Sequence, residues 1–206
     1  MKVAIVGAGE FPAVEQGKRI LEKADYIIAA DGGYTFLRAC NSACDLWLGD
    51  GDSYRGEEPD CPKKRFPVEK DDTDFSLAIQ EALQRGAKEL YLLGATGTRL
   101  DHTLSNIFHL AALKNSGITW HLWNSHNYMT YLTDGVHRLS AEEDKTYAGF
   151  LAYPNDVRIT LEGFYYETDR VLLRRGSSLG VSNSFTTSEA TVWVEGDGVF
   201  YIASRD

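Results

Sequence analysis

Short apolar runs alternate with amphipathic helical segments through the first part of the chain. "KVAIVG" begins at Lys2, and "YIIAA", "LWLGD", "ELYLLGATG" and "ITWHLWNS" follow it along the sequence. Between these runs lie segments with helical spacing, such as "DFSLAIQEALQRG", which ends on Gly86, a residue type that often terminates helices. Strands that alternate with helices form a mostly parallel sheet covered by those helices. We therefore expect an α/β domain over residues 1–126.

The pattern changes after residue 126. From Asn127 the chain breaks into apolar runs separated by Gly, Pro, Asn and Asp, without a segment of convincing helical spacing. The six runs read "YMTYLTDGVHRLS", "YAGFLAYP", "VRITLEGFYY", "RVLLRRG", "LGVSNSF" and "EATVWVEGDGVFYIAS". Closely spaced runs with turn residues between them are typical of a β-sandwich. The sequence thus predicts a second, all-β domain over residues 127–206.

Charge and composition exclude several classes of protein. The chain has 206 residues, a net charge of -9 and no basic cluster larger than "KKR" at Lys63 to Arg65, so no nucleic-acid partner is expected. No apolar run reaches the length of a membrane span, and the N-terminal apolar stretch is too short for a signal peptide. The three cysteines, Cys40, Cys44 and Cys61, lack zinc-site spacing and favour a reducing cytoplasm.

Acidic residues gather in loops next to the predicted strands. "DGG", "GDGDS" and "GATGTRLDH" each follow a strand directly, and "KDDTD" opens a helix. Loops at the carboxyl ends of parallel strands share one edge of the sheet, so their side chains are expected to face one cleft. The carboxylates concerned are Asp31, Asp50, Asp52, Asp71, Asp72, Asp74 and Asp101. Such a cluster suits Mg²⁺, which typically links one or two carboxylates to nucleotide phosphates.

Each of these motifs also has a simpler interpretation. Asp71 and Asp74 can cap a helix, "DGG" can be an ordinary turn, and "RLDH" can combine a cap with a surface ion pair. Their coincidence at one sheet edge favours a functional site. Two familiar nucleotide-binding motifs are missing from the sequence. "GAGEFP" has Pro12 where a dinucleotide fingerprint has its third glycine, and no GxxxxGK[ST] phosphate loop occurs.

Taken together, "ADGG", "LGDGDS", "KDDTDFSLAI" and "GATGTRLDHTLSNI" resemble, in order and spacing, the signature motifs of the thiamine pyrophosphokinase family. "GVSNSF" and "LEGFYY" are similar to C-terminal segments of that family, though more loosely. The resemblance implies Mg²⁺-dependent transfer of the terminal pyrophosphate of ATP to the thiamine hydroxyl, which yields thiamine diphosphate and AMP. It also implies a homodimer with active sites at the subunit interface, between the α/β part of one chain and the β-sandwich of the other.

Carried over by position, the resemblance gives individual residues a role. Mg²⁺ would be held by Asp50, Asp52 and Asp74, which together with Arg99 form the catalytic set. The residues implied to contact ATP are Asp31, Gly32, Gly33, Ser53, Lys70, Thr73, Arg99, Asp101 and His102. Ser182 and Asn183 would approach thiamine. A carboxylate not committed to metal can take the proton of the hydroxyl, and the sequence leaves its identity open.

Two other functions remain open from the residues alone. One is a different Mg²⁺-dependent phosphotransferase or phosphohydrolase, with another acceptor. The other is a nucleotide or thiamine sensor without turnover. A degenerate sensor can lose metal ligands and keep its pocket, so the intact set Asp50, Asp52 and Asp74 argues against the sensor.

Overall fold

The computed structural model describes residues 1–51, 56, 58–67, 69, 71–141 and 146–206. The chain divides into two compact units, Met1–Ser125 and His126–Asp206. The first unit combines parallel strands with helices and the second is built from strands, so the predicted fold class is confirmed. No helix in the described part of the chain is long and apolar enough to cross a membrane.

The first unit is a parallel sheet flanked by helices. Its strands are β1 (Lys2–Val6), β2 (Tyr26–Ala30), β3 (Leu46–Gly49), β4 (Lys63–Arg65), β5 (Glu89–Leu93) and β6 (Thr119–Trp123). Its helices are α1 (Val14–Leu21), α2 (Tyr34–Ala39), α3 (Asp74–Gln84) and α4 (Leu100–Ala112), with 3₁₀ turns at Asp31–Gly33 and Leu113–Asn115. The strand order is β6-β5-β1-β2-β3-β4, and all of these pairings are parallel.

The order of strands creates a switch point at β1. The strands β2, β3 and β4 are added on one side of β1, whereas β5 and β6 are added on the other. The connections after β1 and after β5 therefore run in opposite directions along the sheet. In such folds, ligands bind in the crevice that this leaves outside the carboxyl ends of the strands. The central strands β1, β2, β3 and β5 are buried along almost their whole length, as helices on both faces require.

Strand β4 is a feature that the sequence did not predict. Its three residues, "KKR", are exposed and charged, and they form an edge strand beside β3. Lys64 of this strand donates a hydrogen bond of 2.8 Å to the nearly buried carboxylate of Glu81 in α3. The same carboxylate accepts a bond of 2.8 Å from Arg85 at the end of α3. Glu81 therefore ties the edge strand to the helix.

The second unit is an antiparallel β structure with one core. Its strands are β7 (Asn127–Ser140), β8 (Tyr147–Ala152), β9 (Val157–Glu162), β10 (Thr168–Leu173) and β11 (Glu189–Ser204). Strand β11 pairs with β7 over most of its length, with β9 through its first part and with β8 through its second. Side chains from β8, β9 and β11, including Phe150, Leu161 and Tyr201, belong to one buried cluster.

A glycine marks the place where β11 changes partners. The register between β11 and β7 shifts between Val194 and Gly198, and Gly198 has a φ of +150°. A Cβ at this position would lie 2.6 Å from the carbonyl oxygen of Leu132 on the adjacent strand. Because such a contact is too close, the irregularity depends on glycine.

The predicted run "LGVSNSF" is not a strand. It makes only isolated bridges, from Asn183 to Ala148 and from Phe185 to Phe164. Ser182 has a φ of +61°, which an extended strand does not allow, and Leu179 is largely exposed. The predicted runs at either end of the unit agree with long strands, since β7 begins one residue earlier than its run and the 16 residues of β11 coincide with theirs.

We predict that Glu81→Gln lowers the free energy of unfolding by about 1–2 kcal/mol, because a nearly buried acceptor loses its charge beside two cations. The pKa of Glu81 is held below its ordinary value, first by the hydrogen bond from Lys64. The stabilisation by the charged Glu81 is therefore fully present above about pH 4.3, the ordinary pKa of glutamate. It is lost as the pH falls through the lowered pKa of Glu81 in the folded protein. Urea unfolding between pH 3 and pH 7 measures both effects.

The matched control is Glu58→Gln. Glu58 also accepts from two cations, Lys63 and Arg65, but it is exposed to solvent. Screening by water makes such a pair contribute little, so this variant should unfold close to wild type. Equal losses in both variants would contradict a special role for Glu81.

Candidate active site

A cleft of about 320 Å³ lies at the carboxyl edge of the parallel sheet. Its walls come from the loops that follow β1, β2 and β5 and from the first turns of α3 and α4. The lining includes Gly7, Gly9, Asp31, Thr73, Asp74, Phe75, Thr96, Thr98, Arg99, His102, Thr103 and Asn106. The cleft thus occupies the switch point between β1 and β5, where the fold favours ligand binding.

Three carboxylates meet at this edge. One oxygen from each of Asp31, Asp50 and Asp74 lies within 4.8 Å of the others. Asp31 is buried, and the other two are half-buried. Hard divalent cations prefer carboxylate oxygens, so the donor set fits Mg²⁺. Asp31, to which the family resemblance gave a contact with ATP, here stands beside two of the predicted metal ligands.

The backbone around Asp31 is held in an uncommon conformation. Asp31 has a φ of +47°, and its carbonyl oxygen accepts a buried hydrogen bond of 3.1 Å from the indole N–H of Trp47. A Cβ on Gly49 would lie 3.0 Å from the Cβ of Asp31, so only a glycine leaves ordinary room there. Trp47 and Gly49 both belong to β3, and this strand therefore holds the backbone of Asp31 in place.

At the start of α3, one residue caps the helix and another belongs to the carboxylate cluster. Thr73 is the capping residue, because its side-chain oxygen accepts from the backbone N–H of Ser76 at 3.1 Å. Asp72 accepts from the Ser76 hydroxyl at 3.0 Å and from Gln80 at 3.1 Å. The capping interpretation of "KDDTD" thus applies to Thr73, while Asp74 joins the carboxylate cluster.

The loops after β1 and β5 are hydrogen-bonded to each other. The backbone N–H of Gly9 donates to Gly94 at 2.9 Å, and that of Glu10 donates to Thr96 at 2.6 Å. A Cβ on Gly9 would lie 2.1 Å from the carbonyl oxygen of Thr96. "GAGEFP" therefore uses its glycines for close contact between two loops, although it is not a dinucleotide fingerprint.

Polar side chains that the sequence analysis did not single out hold the loop at Gly94–Thr98 in place. Buried Asn106 of α4 donates to the carbonyl of Ala95 at 2.7 Å, and Asn124 donates to the Thr96 hydroxyl at 2.9 Å. The hydroxyl of Thr103 accepts from the backbone N–H of Gly97 at 3.1 Å. The signal that could have indicated Asn106 is a polar residue among the apolar positions of an otherwise amphipathic helix.

Arg99 and Asp101 form an ion pair at the start of α4. The Arg99 guanidinium donates to the two carboxylate oxygens of Asp101 at 2.6 and 3.3 Å. The two side chains are 68% and 66% exposed. This contact holds the pKa of Asp101 below its usual range. Arg99 and His102 both line the cleft. Arg99 can therefore form an ion pair with Asp101 at the surface and still lie beside the cleft.

Other predicted site residues have different surroundings. Asp52, Ser53 and Lys70 lie outside the described residues. Gly32 and Gly33 form the 3₁₀ turn with Asp31, and a Cβ on Gly33 would lie 1.8 Å from the carbonyl oxygen of Val6. That glycine lets the turn sit directly on the end of β1.

The predicted thiamine contacts lie in the second unit. Ser182 lines a cavity of about 410 Å³ together with Tyr147, Gly149 and Ile202. Asn183 is buried, and its side chain accepts from the backbone of Tyr166 and of Ser184 at 2.9 Å and donates to the Tyr166 carbonyl at 2.9 Å. Asn183 thus fixes the turn that presents Ser182 to the cavity.

Comparison with known proteins covers both units. Residues 17–122 match the family model described as thiamin pyrophosphokinase, catalytic domain, and residues 136–198 match its vitamin B1 binding domain. The thiamine pyrophosphokinase of Bacillus subtilis (strain 168) is 31% identical over 151 residues, which are 70% of this chain and 71% of the relative.

Solved structures give the same result. The chain is similar to a crystal structure of thiamine pyrophosphokinase from Bacillus subtilis, with a TM-score of 0.89 and 25% identity over 100% of both chains. It is also similar to a thiamin pyrophosphokinase family protein from Enterococcus faecalis, with a TM-score of 0.87 and 28% identity over 100% of both chains.

We predict that Gly9→Ala lowers the free energy of unfolding by about 1–3 kcal/mol, because its methyl group would force the two loops apart. Gly97→Ala is the matched control, since a Cβ there would meet its nearest atom at 3.5 Å, an ordinary contact. Thermal unfolding of both variants measures the difference. Equal midpoints would mean that the contact between the loops does not require glycine.

Proposed function

The chain belongs to the thiamin pyrophosphokinase family, and on that premise we propose that it transfers the terminal pyrophosphate of ATP to the hydroxyl group of thiamine. The products are thiamine diphosphate and AMP, the cofactor is Mg²⁺, and the protein works in the cytoplasm. The observation that carries the proposal is the meeting of Asp31, Asp50 and Asp74 at the cleft edge, within the part that matches the catalytic domain.

The carboxylates Asp31, Asp50 and Asp74 would hold Mg²⁺, together with Asp52, for which the sequence is the only support. When bound, the ion neutralises charge on the phosphate oxygens and orients the pyrophosphate group. The chain's own contribution is positioning. Its loops bring the carboxylates and the first turns of two helices to one cleft, and phosphoryl transfer depends mainly on such alignment.

Arg99 supplies positive charge at the cleft. Its forked guanidinium, bound to Asp101 in the structure, matches two phosphate oxygens equally well. Because both partners are about two-thirds exposed, exchange of Asp101 for phosphate costs little. The thiamine hydroxyl then attacks the β-phosphorus in line while AMP leaves, and a carboxylate that does not hold the metal takes the hydroxyl proton.

Thiamine is assigned to the cavity beside Ser182, in the part of the chain that matches the vitamin B1 binding domain. The carboxylates and this cavity belong to different units. We infer that a homodimer combines the first unit of one chain with the second unit of its partner. Exposed apolar side chains on both units support this: Leu100, Leu104 and Phe108 on α4, and Tyr165, Tyr166 and Leu179 on the second unit.

The direct test is product analysis. Protein incubated with ATP, MgCl₂ and thiamine should form thiamine diphosphate and AMP in equal amounts, measured by chromatography with mass detection. Excess chelator should stop the reaction, and added Mg²⁺ should restore it. Release of ADP, or nucleotide turnover without thiamine, would instead identify a different phosphotransferase or a phosphohydrolase.

We predict that Asp74→Asn lowers kcat/KM on the order of 100-fold and raises the Mg²⁺ concentration needed for half-maximal rate, because an amide is a poorer ligand. Asp72→Asn is the matched control from the same segment, since Asp72 contacts Ser76 and Gln80 instead of the cluster. Steady-state rates across a Mg²⁺ titration distinguish the two variants. Full activity of Asp74→Asn at low Mg²⁺ would remove Asp74 from the metal site.

Mixed dimers test the shared site. Asp74→Asn and Ser182→Phe should each be strongly impaired alone at low Mg²⁺, whereas their mixture should regain activity, with one intact site in each heterodimer. A mixture of Asp74→Asn with Asp50→Asn is the control, because both changes damage the same unit and should not complement. Absence of recovery in verified heterodimers, or a fully active monomer, would place each site within one chain.

A further inference from the structure

Two cysteines face each other outside the cleft. The thiol of Cys61 donates a hydrogen bond to the sulfur of Cys44, and the two sulfur atoms are 3.1 Å apart. Both residues are half-buried and both are free thiols. The third cysteine, Cys40, is buried, and its thiol is directed to the carbonyl of Val14 at 3.7 Å. Cys44 and Cys61 therefore form a pair that excludes Cys40.

The sheet fixes the distance between the two thiols. Cys44 lies just before β3 and Cys61 just before β4, and these strands pair in parallel with Trp47 opposite Lys63. The backbone N–H of Trp47 also donates to the carbonyl of Pro62 at 2.9 Å, directly after Cys61. The cysteines thus stand at the amino ends of neighbouring strands, whereas the carboxylate cleft lies at the carboxyl ends.

We propose that Cys44 and Cys61 are a redox-modification site, which closes to an intramolecular disulfide when a small-molecule disulfide such as oxidised glutathione is present. A disulfide has sulfurs about 2.05 Å apart, so the two atoms need to approach by only about 1 Å. The proposal is independent of the proposed activity, because neither cysteine lines the cleft.

The exchange proceeds in two steps with a balanced outcome. The Cys61 thiolate attacks one sulfur of the oxidised glutathione, which breaks its S–S bond and releases one glutathione thiolate. The Cys44 thiolate then attacks the Cys61 sulfur of the mixed disulfide and releases the second glutathione. The protein loses two electrons and two protons, and the reagent becomes two thiols. Burial, followed by the hydrogen bond with Cys61, raises the pKa of the Cys44 thiol, which makes Cys61 the first to react.

Closure would link the chain covalently at the amino ends of β3 and β4. The ring from Cys44 to Cys61 contains β3 and Asp50, and it joins the amino end of the edge strand β4 to its neighbour. Restricting this segment in the unfolded chain stabilises the folded one. In a glutathione pool that is mostly reduced, the pair stays as two thiols, and it closes only when the pool is oxidised.

The experiment uses the full chain treated with excess oxidised glutathione, with the free thiols then blocked. Mass spectrometry should show the loss of two hydrogens, and peptide mapping should show Cys44 linked to Cys61. The midpoint of thermal unfolding should rise by roughly 5–10 °C, and dithiothreitol should reverse the rise.

Two variants complete the test. Cys40→Ser should form the Cys44–Cys61 link and show the same rise in the midpoint relative to its own reduced form, whereas Cys61→Ser should show neither the link nor the rise. Stable glutathione adducts on the wild-type protein would overturn the proposal, as would links to Cys40, links between chains, or no reaction under conditions that oxidise dithiothreitol.

Discussion

The carboxylate groups of Asp31, Asp50 and Asp74 repel one another, and the fold nevertheless brings their oxygens within 4.8 Å. At an effective dielectric constant of about 20, each such pair costs roughly 3–4 kcal/mol. Two features offset part of this cost. Asp74 lies in the first turn of α3, where the helix dipole favours a negative charge, and the Asp31 backbone is held by Trp47. A divalent cation bound between the carboxylates would lower this cost further, which is why the cluster fits a metal site.

The cleft around these carboxylates requires that the main chains of neighbouring loops and strands come very close together. Gly9 and Gly33 each leave space that a Cβ would fill, one against the loop after β5 and the other against the end of β1. With the loops so near, their positions are set by hydrogen bonds from Asn106 and Asn124. The framework of the site is therefore built from glycines and buried amides, while the charged side chains extend from it.

Much of this arrangement could be predicted from the sequence, because apolar periodicity reports which residues a sheet buries. The alternation of runs predicted the α/β unit, and the acidic loops predicted the sheet edge at which Asp31, Asp50 and Asp74 come together. Strand β4 could not be found in this way, since "KKR" at the sheet edge has no apolar residue to reveal it. The role of Asn183 was equally hidden, because whether an amide contacts a ligand or a buried backbone depends on tertiary contacts. The pairing of Cys44 with Cys61 likewise follows from strand register, which the spacing of two cysteines does not reveal.

Strand β11 has a consequence for how the second unit opens. It hydrogen-bonds to β7 along most of its 16 residues, to β9 at one end and to β8 at the other. Removing it would leave β8 and β9 without a shared neighbour and would expose the common core. Among the described strands of this unit, β10 lies at the edge and pairs with β9 alone, so it can separate without disturbing the ladders of β11. Backbone amides of β11 and of the strands paired with it should therefore exchange with solvent deuterium together, as one cooperative unit, and those of β10 should exchange faster.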